Sequence, residues 1–123
     1  MITGRVNAHY EAIVSLSLQG PTGRTQVIEA VGDTGFSGFL TLTPSMVDAL
    51  RLPFLMMGQA MLADGREARF PIHSATVLWD NQPVSVDAEA ADTKPLIGMR
   101  LLDGYRLCAD VYDGGRVTIE RRF

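Results

Sequence analysis

The stretch AIVSLSL, residues 12–18, gives the strongest indication of the fold class. Apolar residues occupy every second position from Ala12 to Leu18, whereas Ser15 and Ser17 fall on the opposite face, and Ile13 breaks the pattern at one point only. This period of two residues is typical of a β-strand that buries one face and exposes the other. The stretch therefore predicts a strand over residues 12–18 that contributes one face to a hydrophobic core.

Turn-forming residues recur at short intervals along the rest of the chain. They occupy residues 20–23, 32–38, 64–65, 80–83, 103–104 and 113–115. Short β-rich runs between such turns predict an all-β domain. Further strands are predicted over residues 26–31, 57–62, 66–72, 75–79, 84–88, 105–112 and 116–121. Asp64-Gly65 and Asp113-Gly114-Gly115 have the composition of hairpin turns.

Two short helices are predicted between these strands. Thr43 precedes Pro44, which places a favourable N-cap residue before a proline at the first helical position. This pattern predicts a helix over Pro44–Leu50. A second short helix is predicted from Met99 to Asp103.

Composition and charge limit the class of protein. The 123 residues match the ~100–150 residues of a common domain, so we expect one domain over residues 1–123. The 14 acidic and 11 basic residues leave a net charge of −3, which argues against a nucleic-acid partner. No run reaches the ~18 apolar residues of a membrane span, and the N-terminus lacks the features of a signal peptide. We therefore expect a cytoplasmic protein without membrane association.

The segment IEAVGDTGFSG, residues 28–38, joins a predicted strand to a glycine-rich loop. Asp33 stands at the strand end, where glycines leave backbone N–H groups free to face its carboxylate. A carboxylate held in this way is oriented for chemistry, with no bulky neighbour in front of it. An isolated Asp-x-Gly is also typical of an Asx turn, in which Asp33 only caps its own loop. Both interpretations are open from these residues alone.

The remaining reactive residues indicate neither a metal nor a cofactor. His9 and His73 have no cysteine or carboxylate at zinc-ligand spacing, so we expect ordinary surface or hydrogen-bonded histidines. The single cysteine, Cys108, lies in an apolar run and is predicted to be a buried structural thiol. The methionines within residues 56–61 are expected to pack in the core or on a hairpin.

In its context, the loop at Asp33 resembles that of the retropepsin-like aspartic proteases, the single-domain relatives of pepsin and the retroviral proteases. Two motifs carry the resemblance in the order found in the family: DTGF at residues 33–36 and LIGMRLL at residues 96–102. The first motif is similar to that of a bacterial branch whose catalytic loop reads Asp-Thr-Gly-Phe. The likeness extends from Gly4 to about Glu120.

The resemblance implies a closed all-β barrel that acts as a homodimer. It also implies an aspartic endopeptidase that cuts an extended peptide or protein substrate without a metal or organic cofactor. Peptide hydrolysis by this route uses two carboxylates, and one Asp-Thr-Gly per chain leaves the second to a symmetric partner. Asp33 would supply the carboxylate of each subunit. Thr34 would bond to the partner's loop, and Gly35 would bring its N–H towards the carboxylate.

The resemblance also assigns supporting roles. Ile97 and Gly98 would pack behind the catalytic loop. Ala63, Asp64 and Gly65 would form the tip of a flap that closes over the substrate.

Two positions depart from the family pattern. Pepsin-like relatives carry a hydroxyl residue directly after Asp-Thr-Gly, where this chain has Phe36. The residue before the aspartate is often apolar in the family, and here it is Gly32. These departures favour an alternative function, a non-proteolytic retropepsin-like module for dimerisation or peptide binding, in which Asp33 is kept only for structure.

Overall fold

The computed structural model describes residues 1–123 and has an all-β architecture with a single short helix. The strands are β1 (Ile2–Val6), β2 (Ala12–Gln19), β3 (Thr25–Gly32), β4 (Leu40–Leu42), β5 (Phe54–Met61), β6 (Glu67–Trp79), β7 (Gln82–Ala90), β8 (Leu96–Ile97), β9 (Tyr105–Ala109) and β10 (Arg116–Arg121), and the helix is α1 (Pro44–Leu50). The all-β prediction is confirmed. No helix in the structure has the length and apolar character needed to cross a lipid bilayer.

All ten strands belong to one sheet, in the order β5-β6-β7-β4-β8-β3-β2-β1-β10-β9. A further pairing joins β6 to β2, so the six strands from β6 to β2 form a ring of hydrogen-bonded neighbours. Two pairings within this ring are parallel, β3 with β8 and β4 with β7. The ring leaves β5 and β9 as the two edge strands.

The core fills the inside of this sheet, and the predicted alternation in β2 is confirmed. Val14, Leu16 and Leu18 are almost completely buried, as are Leu40 and Ile97 on the short central strands. Four of the five residues in the short strands β4 and β8 are buried, and Leu96 is half-buried, so burial holds these strands in place.

Helix α1 has the predicted bounds and the predicted cap. The Thr43 hydroxyl oxygen accepts a hydrogen bond from the N–H of Met46 at 3.3 Å. Arg51 ends the helix in a left-handed conformation with φ of 51°. Val47 and Leu50 are buried against the sheet, which fixes the helix to the core.

The second predicted helix, from Met99 to Asp103, is wrong. This segment is a pair of turns in which the N–H groups of Leu101 and Leu102 both donate to the Gly98 carbonyl. Five residues close too few hydrogen bonds to overcome the cost of helix nucleation, and Gly104 then adopts a positive φ that leads into β9.

Several strand predictions needed correction. The predicted strands 66–72 and 75–79 are one strand, β6. Its residues 67–73 pair with β5 and its residues 72–79 pair with β7, so the pairing continues through the predicted gap. The strand predicted over 105–112 ends at Ala109. The sequence patterns missed β1, β4 and β8, which have two to five residues each and show too little alternation to be recognised.

Cys108 is exposed, so the prediction of a buried thiol is wrong. The residue lies on β9, an edge strand that pairs with β10 only. The apolar run around it therefore lies at the border of the sheet and not in the core.

Candidate active site

The position of Asp33 is set by strand β8. Val31 pairs with Leu96 and Gly32 with Ile97 in a parallel register, and Asp33 follows directly. The Asp33 N–H donates to the Ile97 carbonyl at 2.9 Å, which extends the pairing by one residue. The side chain of Asp33 thus leaves the sheet at a fixed point, half-buried.

A turn inside the loop orients the Asp33 carboxylate. The Gly35 N–H donates to Asp33 Oδ1 at 2.8 Å, and the Phe36 N–H donates to the Asp33 carbonyl at 3.2 Å. The second carboxylate oxygen accepts no hydrogen bond from the chain. One oxygen is therefore anchored, while the other is free for a ligand or water.

Three further backbone hydrogen bonds join the loop to the segment after β8. The N–H of Gly98 donates to the Phe39 carbonyl at 3.0 Å, that of Met99 to Phe36 at 2.8 Å, and that of Arg100 to Gly38 at 3.1 Å. The structure thus brings Ile97 and Gly98 directly against the Asp33 loop. The two sequence motifs form one hydrogen-bonded unit.

This close approach depends on two glycines and on the ring of Phe36. A Cβ atom on Gly98 would collide with the Gly38 carbonyl oxygen and lie 2.8 Å from the Phe36 ring. A Cβ atom on Gly38 would lie 2.6 Å from the same ring. Phe36 therefore packs across both glycines, so its side chain holds the loop against the segment that follows β8.

Thr34 points away from this packed unit. It is exposed, and its hydroxyl makes no hydrogen bond within the chain. It lines a cavity of about 510 Å³ with neighbours that come mainly from the segment after β8 and from β9. These neighbours are Met99, Leu102, Asp103, Gly104, Tyr105, Leu107 and the terminal Phe123.

A second cleft, of about 360 Å³, lies on the other side of the loop, beneath the β5–β6 hairpin. The loop contributes Gly35, Phe36, Ser37 and Gly38, the hairpin contributes Gln59, Ala60 and Phe70, and Glu89 and Arg100 complete the lining. Thr34 and Gly35 are adjacent in the chain but line different clefts, and the Asp33 side chain, bonded to the Gly35 N–H, lines neither.

The predicted flap tip is a tight turn at the end of the β5–β6 hairpin. Gly65 has a φ of +84°, a conformation that glycine adopts without strain. The Asp64 carboxylate accepts a hydrogen bond from the Arg66 N–H at 3.0 Å, which stiffens the turn. Ala63, Asp64 and Gly65 are exposed and line neither cleft. The hairpin residues that reach the Asp33 loop lie further back, at Gln59, Ala60 and Phe70.

The methionines of the hairpin are not core residues. Met56, Met57 and Met61 are 56%, 42% and 76% exposed on β5, an edge strand. Of the two places expected for them, the core or the hairpin, the structure shows the hairpin. They present apolar surface on the hairpin.

Glu89 is the unexpected residue of the second cleft. It lies on β7 beside Thr41 of β4 and is half-buried. Its carboxylate makes neither a hydrogen bond nor an ion pair in the structure. Burial raises the pKa of its carboxyl, and the negative charge of Asp87 raises it further. Sequence analysis missed Glu89 because β7 shows no motif, and only the parallel pairing of β4 with β7 brings it near the loop.

The histidines lie apart from these clefts. His73 Nδ1 is 2.9 Å from the Leu52 carbonyl, which ties β6 to the chain after α1. No group of three or more histidine, cysteine, aspartate or glutamate side chains is placed to hold a metal ion.

Comparison of this chain with family models and with curated proteins found no match to either. The arguments for function therefore depend on the sequence motifs and on the geometry of the site.

The contact between Gly98 and Gly38 can be tested by adding one methyl group. Gly98→Ala forces this Cβ against the Gly38 carbonyl, and we expect a loss of about 1–3 kcal/mol in the free energy of unfolding, measured with urea. Gly32→Ala is the matched control, because its new Cβ would have no atom closer than 3.8 Å. Equal losses in both variants would contradict the argument.

The raised pKa of Glu89 predicts a pH-dependent effect on stability. A carboxyl whose pKa is higher in the folded protein than in the unfolded chain adds stability below the unfolded value, and this contribution is lost as pH rises through the folded value. Glu89→Gln removes the titration. The Tm of the parent should therefore fall relative to that of the variant as the pH rises above about 4.5, the ordinary pKa of a glutamate carboxyl. Glu29→Gln, on the exposed face of β3, controls for net charge. Parallel Tm curves for the parent and Glu89→Gln would refute the prediction.

Proposed function

We propose that this chain is a retropepsin-like aspartic endopeptidase, a closed β-barrel that works as a homodimer with Asp33 of each subunit as its catalytic residue. The observation that carries the proposal is the hydrogen-bonded unit formed by the DTGF and LIGM motifs. It holds Asp33 half-buried in a loop whose next residues line two clefts, with one carboxylate oxygen anchored by Gly35 and the other free. An extended peptide is the substrate class that fits a cleft between a loop and a β-hairpin.

In the proposed reaction, the two Asp33 carboxyls hold one proton between them. The ionised carboxylate takes a proton from a water molecule, whose oxygen attacks the peptide carbonyl carbon, while the protonated carboxyl gives its proton to the carbonyl oxygen. The tetrahedral intermediate then collapses. The C–N bond breaks as the nitrogen takes up the proton that the first carboxyl accepted from water, and the intermediate returns a hydroxyl proton to the second carboxylate, so an acid and an amine leave and the pair again holds one proton. The Gly35 N–H fixes the carboxylate orientation throughout.

Two features support a second copy of the chain as the partner. Strand β9 leaves one edge without a neighbour, and such edges pair readily with another strand. The Thr34 hydroxyl, free in the monomer, lies in the apolar cavity beside this edge. A two-fold axis through this region brings both Thr34 residues, and therefore both Asp33 loops, together.

One observation favours the alternative function, a non-proteolytic module for dimerisation or peptide binding. The Gly35 N–H to Asp33 Oδ1 bond is also the bond of a simple Asx turn, so it closes the loop without any catalytic role. A hydroxyl-bearing statine-type peptide separates the two functions, because it mimics the tetrahedral intermediate. Tight binding that is lost in Asp33→Asn supports the enzyme.

Asp33→Asn is expected to abolish proteolysis while leaving the fold intact. Asn keeps the shape of the side chain and the acceptor for Gly35 but cannot act as a base, so peptide cleavage should fall by a factor of about a hundred or more. The measurement is a peptide-library digest at acidic pH with mass spectrometry. Asp48→Asn, on the exposed face of α1, is the control and should retain activity. An active Asp33→Asn protein would exclude Asp33 as the catalytic residue.

The proposed dimer predicts that specific activity rises with protein concentration and then reaches a plateau. Thr34→Val keeps the shape of the side chain but removes its hydroxyl. Loss of two symmetric hydrogen bonds should weaken the dimer by about 1–3 kcal/mol, or roughly 5- to 150-fold in Kd. Analytical ultracentrifugation provides the measurement, with Thr25→Val on exposed β3 as the control. A monomer that is fully active on dilution would overturn the homodimer.

A further inference from the structure

The cleft beneath the β5–β6 hairpin has the chemistry of a subsite for one side chain of the substrate. Its volume, about 360 Å³, is in the range of specific ligand sites. Phe36, Ala60 and Phe70 supply apolar wall, and Glu89 supplies a single negative charge. A long apolar stem with a cationic head matches these two elements together.

Glu89 has no partner of its own in this cleft. Its carboxylate makes no hydrogen bond or ion pair, although a neighbouring β-strand and the Gly38 backbone partly cover it. Leaving a partly buried carboxylate unpaired costs free energy that an incoming cation recovers. The raised pKa of Glu89 is consistent with this unsatisfied state.

Arg100 lines the same cleft but does not neutralise Glu89. Its guanidinium carbon lies 5.9 Å from the centroid of the Phe39 ring, and Arg100 forms no ion pair with any carboxylate. The charge that shifts the pKa of Glu89 is the negative charge of Asp87, which raises it. The negative charge of Glu89 is therefore available to a ligand.

We propose that Glu89 is the specificity-determining residue of this cleft and selects substrates with a lysine or arginine side chain close to the scissile bond. This inference rests on the proposed function, because it takes the cleft lined by residues 35–38 of the Asp33 loop as the peptide site. It adds the substrate class, a peptide that is basic near the point of cleavage.

The test separates peptide selection from catalysis by measuring binding in the Asp33→Asn protein. The probes are a set of fluorescent eight-residue peptides in which lysine replaces norleucine at one position at a time. Norleucine keeps the apolar stem and removes the charge. For at least one position, the lysine peptide should bind about tenfold or more tightly than its norleucine partner, in fluorescence anisotropy at neutral pH.

Adding Glu89→Gln should remove this lysine preference and leave norleucine binding within a factor of about two. Asp87→Asn is the matched control. It removes the same charge from the same strand, two residues away and outside the cleft, and should keep the preference. Retention of the preference in Glu89→Gln, equal loss in both variants, or no preference at any position would each overturn the inference.

Peptide cleavage by the unsubstituted protein distinguishes failure of the Glu89 inference from failure of the proposed function. If the lysine preference depends on Glu89 but no Asp33-dependent cleavage occurs, the subsite is supported and the proposed protease activity is wrong. Asp33-dependent cleavage without any preference for basic residues retains the protease and rejects the role of Glu89. Absence of both binding and cleavage rejects both.

Discussion

The loop after β3 and the segment after β8 approach each other closely at Gly98, and the candidate site depends on this constraint. Gly38 and Gly98 meet without side chains between them, and Phe36 covers both. This contact lets the loop after β3 and the segment after β8 exchange hydrogen bonds in both directions, from the Asp33 N–H at one end to the Arg100 N–H at the other. A single methyl group on Gly98 would separate them. The orientation of Asp33 is thus a consequence of backbone packing, and its own side-chain hydrogen bond refines an arrangement that is already fixed.

This arrangement gives Phe36 a role that its sequence position alone did not suggest. At the position where pepsin-like proteases carry a hydroxyl, a phenylalanine cannot donate a hydrogen bond to the carboxylate, and the sequence alone therefore favoured the non-catalytic alternative. In the structure its ring fills the space over two glycines and also forms one wall of the cleft beneath the hairpin. The Phe36 side chain therefore packs the loop and also lines the cleft. Substitution of Phe36 is expected to affect both the loop packing and the shape of the cleft.

The sequence predicted what depends on local pattern and missed what depends on pairing across the fold. Strand β2 and helix α1 follow from alternation and from the Thr43-Pro44 cap, both of which act within a few residues. The turns after Gly98 resembled a helix because five residues carry too little information to distinguish the two. Asp33, Ile97 and Gly98 were found through their motifs. Glu89 was not, because β4 and β7 are distant in sequence and their parallel register alone places it near the loop. The hairpin tip at Asp64 lines neither cleft, whereas Gln59, Ala60 and Phe70 line the second one, because register decides which hairpin residues face the loop.

The two clefts that meet the Asp33 loop, one at Thr34 and one at Gly35, differ in their lining. The cavity at Thr34 is walled mainly by apolar side chains and adjoins the unpaired edge of β9. Under the proposed function, a strand from a second copy would cover this cavity and add main-chain hydrogen bonds to apolar burial. The cleft beneath the hairpin holds two unpaired charges, Glu89 and Arg100, between a loop and a strand pair. Permanent burial of unpaired charges by a subunit is costly, whereas a transient ligand with a basic side chain pairs with Glu89. Under the proposed function, the protein partner and the peptide therefore use opposite faces of the same loop: the partner contacts the Thr34 side and supplies the second Asp33, and the peptide binds on the Gly35 side.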